Sequence, residues 1–233
     1  MEKFWSAIQW VGVIFTYLLM IPIFGLSLLP GLSLFFLIPR IVRHWAYFPQ
    51  ILILSFSIIF GFFLFGITLI VIVSTLRIIF RFNYKEGNYP FHSFNVFVWG
   101  FYNALILLVR YTIMNWIKAT PILPIFHRLM GAKVGKNVQI NTTIIADSRL
   151  LEIGDGTIIG GDAQIICHSA ENGLLKIAKT KIGKNVTIGI MAVILPGTEI
   201  GDGATIGACS FVPKNSQIPP NTTWAGVPIR RIK

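Results

Sequence analysis

Aliphatic residues recur every six positions through the second half of the chain. The beat runs through Val134, Ile140, Ile153, Ile159, Ile165, Ile182, Ile188, Ile194, Ile200, Ile206, Val212 and Ile218, with a spacing of six inside each uninterrupted run. Gly often comes next (Gly135, Gly154, Gly160, Gly183, Gly189, Gly201, Gly207). A small or branched residue often stands four places on (Val138, Thr157, Ala163, Val186, Ala192, Thr198, Ala204, Ser210). A period of six fits neither a helical face nor a simple alternating strand. It predicts an all-β parallel β-helix of hexapeptide repeats over 134–223, with about 18 residues per three-sided coil and roughly five coils. Each coil buries its neighbour's aliphatic residues, so the core is narrow but continuous.

The first half has a different pattern. Long apolar runs such as Phe4–Pro39 and Ile51–Thr75 exceed the ~18 residues that mark a membrane span. Residues 1–117 therefore read as an α-helical membrane domain with spans at about 7–29 and 50–76. Pro30-Gly31 predicts a break, which leaves 31–48 as a short apolar arm, re-entrant or returning as a tilted hairpin. Residues 82–93 are polar, with Gly87, Asn88 and Pro90, and read as a loop. Residues 94–117 are long enough to span, yet Asn103 and Arg110 interrupt them. Trp99, Tyr102, Tyr111 and Trp116 supply interfacial aromatics, so a spanning helix and an interfacial helix both remain open. Residues 118–133 read as a linker and cap helix, and 224–233 as a basic tail. The N-terminal apolar region is longer than a signal-peptide core and predicts a retained anchor.

Charge adds sidedness only in outline. The chain of 233 residues carries a net +11. Basic residues gather at the ends of the apolar runs, as Arg40 and Arg43, then Arg77, Arg81 and Lys85, then Lys118, Arg128, Lys133 and Lys136. That placement points to anionic lipid and positive-inside topology rather than nucleic acid, for which no motif is present. Cys167 and Cys209 both lie in the repeat without C-x-x-C spacing, which argues against a disulfide framework and against cysteine metal ligation.

Two irregularities in the beat locate the candidate chemistry. Ala146–Glu152 is one residue longer than a repeat, and Glu171–Lys181 inserts 11 residues, an outward loop. His168 ends a rung just before that loop and is the one histidine inside the repeat; His44, His92 and His127 lie outside it. An imidazole there suits proton abstraction near neutral pH. Glu171, three residues on, is a candidate to hold the ring in the right tautomer. Asp147, beside the other irregularity, reads either as a second polar group reaching the acceptor or His168, or as an Asx-type turn residue. Cys167 reads as a core residue. One repeat histidine is too few for the three ligands of a zinc hydrolyase site, so no metal is expected. Lys214, Gly226, Arg230 and Arg231 form a candidate cofactor-binding set: Gly226 opens a rigid turn with Pro228, and the three basic groups suit phosphate. Their alternative is a solvated or lipid-contacting chain end.

The run Ile182–Lys214 and the closing Trp224-Ala-Gly-Val-Pro-Ile-Arg230 resemble hexapeptide-repeat acyltransferases. That resemblance implies a left-handed parallel β-helix, a homotrimer with sites between solenoids, a catalytic His168 and a pantetheine arm lying along the coils. Acyl-CoA is the implied donor, with no permanently bound cofactor. From about Pro90 onward the chain is also similar to the membrane-embedded C-terminal modules of peptide-synthetase-like proteins such as poly-lysine synthetases. The matching pieces are the aromatic helix 94–117, Thr120-Pro-Ile-Leu, Leu129-Met-Gly-Ala-Lys-Val-Gly, Ala146-Asp147, Leu151-Glu-Ile-Gly-Asp-Gly and His168-Ser-Ala-Glu171. This second likeness implies carrier-protein thioesters as donors and amines as acceptors, and names Glu171 and Asp147 beside His168. Such proteins carry tandem modules and an adenylation domain that this sequence does not contain.

The expectation is an integral membrane acyltransferase of a bacterial-type inner membrane, with the β-helix facing the cytoplasm. It would move an acyl or aminoacyl group to a hydroxyl or amine near the bilayer, with membrane lipids as further partners. The rival is a non-catalytic trimeric scaffold for membrane helices.

Overall fold

A computed structural model describes the backbone of residues 2–82 and 84–233, and side chains at 10, 12–82 and 84–233. The chain divides into two compact units, Met1–Arg81 and Phe82–Lys233.

The first unit is a helical hairpin of α1 (Glu2–Val42) and α2 (Tyr47–Phe80). The predicted break at Pro30-Gly31 is absent, because α1 continues through Pro22, Pro30 and Pro39. Each proline removes one backbone donor, but a long apolar segment gains more by keeping its other backbone bonds internal. Gly31 serves as a contact point: a Cβ there would sit 2.9 Å from the Gly61 carbonyl oxygen, so the helices cross closely where both lack side chains. Gln50 secures the turn. Its amide donates to the carbonyls of Val42 at 3.1 Å and Trp45 at 2.9 Å, satisfying groups that the end of α1 leaves open. Gly12–Val42 and Tyr47–Phe80 are each long and apolar enough to cross a membrane, as is the stretch Phe94–Ile117 of the second unit.

The second unit opens with β1 (Gly87–Pro90), inside the segment read as a loop, of which Asn83 lies outside the described residues. An edge strand here comes from tertiary pairing, which no local pattern announces. Helix α3 (Phe94–Val109) continues through a π-helical turn, Arg110–Met114, into α4 (Asn115–Ile117), and α5 (Ile122–Leu129) follows.

Short strands then make the solenoid. β2 (Lys133–Val134) and β3 (Gln139–Ile140) open it. β4 (Leu151–Ile153), β5 (Ile158–Ile159) and β6 (Gln164–Ile165) come next. An arm of β7 (His168–Glu171) and β8 (Leu174–Ile177) interrupts. The winding resumes with β9 (Thr180–Ile182), β10 (Thr187–Ile188), β11 (Val193–Ile194), β12 (Glu199–Ile200), β13 (Thr205–Ile206) and β14 (Phe211–Val212). It ends with β15 (Gln217–Ile218), β16 (Thr223–Ala225) and β17 (Arg230–Arg231). Among the described residues, β2, β4, β9, β12 and β15 stack as one parallel sheet, β3, β5, β10, β13 and β16 as a second, and β6, β11 and β14 as a third.

The register explains the beat. Ile153, Ile182, Ile200 and Ile218 are successive partners in one sheet, and Ile159, Ile188 and Ile206 in another. All are buried, as are the small residues four places on, such as Ala163, Val186, Ala192 and Ala204. The glycines meet the next coil's backbone. A Cβ on Gly154 would lie 2.6 Å from the carbonyl carbon of Gly183 and 2.6 Å from the nitrogen of Lys184. Gly154→Ala is therefore expected to destabilise the solenoid by about 1–3 kcal/mol, read as a lower denaturant midpoint at unchanged m-value.

Both ends of the coil stack are covered in part. At the start, Arg128 of α5 donates to the carbonyls of Val134 and Gly135, and Ala119 N–H donates to the Ile140 carbonyl at 2.8 Å. At the finish, β17 folds back antiparallel on β16, with Ile232 N–H donating to the Thr223 carbonyl at 2.8 Å. One outer face is a charge ladder, Lys133, Glu152, Lys181, Glu199, on successive strands. Its pairs lie at 2.9 Å (Lys133–Glu152) and 2.6 Å (Lys181–Glu199), and Lys133 is the first cause holding the Glu152 carboxyl below the usual carboxylate range.

Candidate active site

The 11-residue insertion is a β-hairpin. β7 and β8 pair antiparallel around Asn172-Gly173, both at positive φ (51° and 75°), a turn chemistry that favours tight hairpins. β1 adds to the far edge of β8. The hairpin begins at His168, so this residue sits where the winding leaves the solenoid.

The other irregularity is the turn at Asp147. Asp147 adopts a left-handed conformation (φ 57°, ψ 43°), and a short 3-10 helix, Ser148–Leu150, follows. Asp is among the few residues that accept this geometry without glycine. The extra residue thereby turns the Asp147 carboxylate inward, where it is fully buried.

The two irregularities meet. His168 Nδ1 lies 2.6 Å from Asp147 Oδ2, with the His168 side chain 27% exposed and that of Asp147 at 0%. A carboxylate only accepts, so the ring's Nδ1–H donates to it and the lone pair of the neutral imidazole lies on Nε2. That is the nitrogen a proton can reach. Asp147 is thus both the turn residue and the imidazole's partner.

Glu171 is not the group that meets the ring. Alternation along β7 turns Ser169 and Glu171 away from the face of His168. Glu171 instead pairs with Lys176 at 3.1 Å and with Lys214. These groups, with Asn88, Ser169 and Asn215, line a pocket of about 300 Å³ beside the arm. Of the proposed cofactor-binding set, Lys214 is in this cluster. Gly226 lies in the closing turn (φ 105°), where its N–H donates to Ser210 Oγ at 3.1 Å. Arg230 and Arg231 are exposed on β17.

Cys167 is fully buried beside the pair, and burial first, then Asp147, pushes its thiol up to about 12. It stays a neutral core thiol, and its backbone N–H donates to Asp147 Oδ2 at 3.3 Å.

Sequence reasoning missed two site residues, Trp99 and Asn103 of α3. Trp99 Nε1–H donates to Asp147 Oδ1 at 2.6 Å, and Asn103 Nδ2–H donates to the same oxygen at 2.9 Å. Asn103 had a visible signal, a polar amide in an apolar helix. Trp99 read only as an interfacial aromatic.

His127 lies behind this turn, fully buried, with Nδ1 2.9 Å from Ser148 Oγ and, among the described residues, no partner at Nε2. Burial lowers it from 6.5 to about 4. The unfolded chain then takes up a proton below pH 6.5 that the folded chain refuses until about 4. Stability at neutral pH is accordingly lost as pH falls through that window, by up to about 3 kcal/mol. His127→Gln is expected to flatten that part of the melting-temperature profile.

Comparison with known proteins bears on the fold and the family. Residues 179–214 match the family described as bacterial transferase hexapeptide (six repeats). The chain is 34% identical over 135 residues to the proposed acetyltransferase YvoF of Bacillus subtilis (strain 168), covering 55% of this chain and 73% of that protein. It is 36% identical over 113 residues to galactoside O-acetyltransferase of Escherichia coli (strain K12), covering 42% and 55%. It is 27% identical over 168 residues to delta-poly-L-ornithine synthetase of Acinetobacter baumannii (strain AB307-0294), covering 71% of this chain but only 12% of that protein. Among solved structures, maltose O-acetyltransferase of Clostridium difficile 630 aligns with a TM-score of 0.50 at 23% identity, over 64% of this chain and 92% of the other. That likeness carries the fold, a left-handed parallel β-helix. The six-residue register, the family match and the extent of the likeness to YvoF together show that the chain belongs to the hexapeptide-repeat acyltransferases.

Proposed function

We propose that this protein is a membrane-anchored acyltransferase that uses His168 as general base, with Asp147 as the group that orients it. The acceptor's O–H or N–H meets Nε2 of His168. As the proton moves to the ring, the oxygen or nitrogen attacks the thioester carbonyl. Backbone N–H groups near the arm stabilise the resulting oxyanion. Collapse breaks the C–S bond, and the imidazolium returns its proton to the departing thiolate. The products are an ester or amide and a free thiol.

The observation that carries this reading is the 2.6 Å contact between a partly exposed imidazole and a fully buried carboxylate. The donor is acyl-CoA or a pantetheine-carrier thioester, and the working unit is a homotrimer. Membrane anchoring draws on α1 and α2, whose outward side chains are large and apolar. Helix α3 and the π-helical turn after it are read as interfacial: Phe94, Phe97 and Tyr111 are exposed, while Trp99 and Tyr102 bond Asp147 and the Met130 carbonyl. The acceptor accordingly lies at the bilayer surface, and the likeness to a poly-ornithine synthetase favours an amine. The β-helix is taken to face the cytoplasm.

The test is thioester-dependent acylation by the purified protein in lipid nanodiscs, with acetyl-CoA as donor and candidate lipid and amine acceptors scored by mass spectrometry. Acceptor-dependent release of thiol is the expected result. A wild-type rate in His168→Ala would remove His168 from the mechanism.

A further inference from the structure

The two oxygens of Asp147 have separate partners. Oδ2 accepts from His168 Nδ1 at 2.6 Å and from Cys167 N–H at 3.3 Å. Oδ1 accepts from Trp99 Nε1–H at 2.6 Å and Asn103 Nδ2–H at 2.9 Å. Asn103 Oδ1 in turn accepts the Asp147 backbone N–H at 3.1 Å, and Asn103 Nδ2 also donates to the Trp99 carbonyl at 3.0 Å. These bonds fix which way the amide faces. Trp99 and Asn103 stand one helical turn apart on α3, so one face presents both donors. The Trp99 ring also meets the His168 ring edge-on, with centroids 4.8 Å apart and planes at 69°.

A buried carboxylate without water needs donors, and an aspartate side chain is free to turn about its two torsions. With Oδ1 held by two N–H groups, rotation would break both bonds, so Oδ2 stays aimed at His168. We infer that Trp99 and Asn103 are positioning residues for the reacting imidazole, acting through Asp147, and that α3 is part of the catalytic apparatus although it lies outside the repeat. This rests on His168 being the general base.

The experiment combines a double-mutant cycle with a spectroscopic readout. Trp99→Phe keeps a ring beside His168 and loses the N–H; Asn103→Leu keeps the volume and loses the amide. Each is expected to lower kcat roughly tenfold, the loss of one hydrogen bond to a charged group, with KM for donor and acceptor within about twofold. In an Asp147→Ala background neither change should lower kcat by more than about twofold. Losses that multiply undiminished in that background, or that fall on KM alone, would overturn the inference. Independently of turnover, protein labelled with 15N-histidine should show a downfield Nδ1–H resonance, assigned by its loss in His168→Ala. It should shift or exchange away in the Trp99→Phe/Asn103→Leu double variant. An unmoved resonance would overturn the inference even if no acyl transfer is found, whereas a moved resonance without acyl transfer in the wild type would sink the acyltransferase reading and leave the clamp standing.

Discussion

His168→Ala is expected to lower acyl transfer about 10³-fold while the protein stays folded. A positioned general base contributes roughly 10²–10⁴-fold. No other group in the described site offers a comparable lone pair: Cys167 is held as a neutral buried thiol, and the Asp147 carboxylate is enclosed by four donors. The substitution leaves Asp147 Oδ2 with the Cys167 N–H as its remaining donor, so a stability loss of about 1–3 kcal/mol should accompany it. Saturating-donor kinetics and a melting curve on the same preparation separate the two effects. A large fall in kcat with a folded protein supports the role.

Asp147→Asn should be nearly as severe, with kcat down roughly 10²–10⁴-fold, because the shape survives and the tautomer does not. An amide nitrogen facing the ring donates to Nδ1. The ring proton then moves to Nε2, where the lone pair is required. Glu171→Gln is the control. Glu171 pairs with Lys176 and Lys214, so its replacement should leave kcat within a few-fold. Comparable losses from both substitutions would mean that Glu171 reaches the ring during turnover.

The solenoid was legible because its physics is local. One inward aliphatic residue per six-residue step must match the residue 18 places on in the next coil, as Ile188 matches Ile206 and Ile200 matches Ile218, and the sequence repeats accordingly. The pairing of Ile153 with Ile182 across the arm shows the beat surviving an insertion. The site was legible only in part. His168 announced itself by its place before the insertion, and Asp147, 21 residues earlier and so about one coil away, was legible as a group able to reach it, with a plain turn role left open beside that one. Glu171 was nearer along the chain and lost to strand alternation, which turns it to the other face. Trp99 and Asn103 lie more than 40 residues from Asp147, and their function comes entirely from the docking of α3. The unbroken course of α1 through Pro30 has a similar origin: a breaker rule measured against water overstates the break in an apolar segment.

The partly covered termini of the coil stack set how copies can associate. A solenoid with bare rungs would recruit further molecules top to bottom, and its length would rise with concentration until it became a fibre. With β17 turned back over one side of the last coil and Arg128 engaging carbonyls at the other end, the bare edge left for axial growth among the described residues is short, and lateral contact between flanks is favoured. Lateral contact around a rotation axis makes a closed ring of fixed stoichiometry.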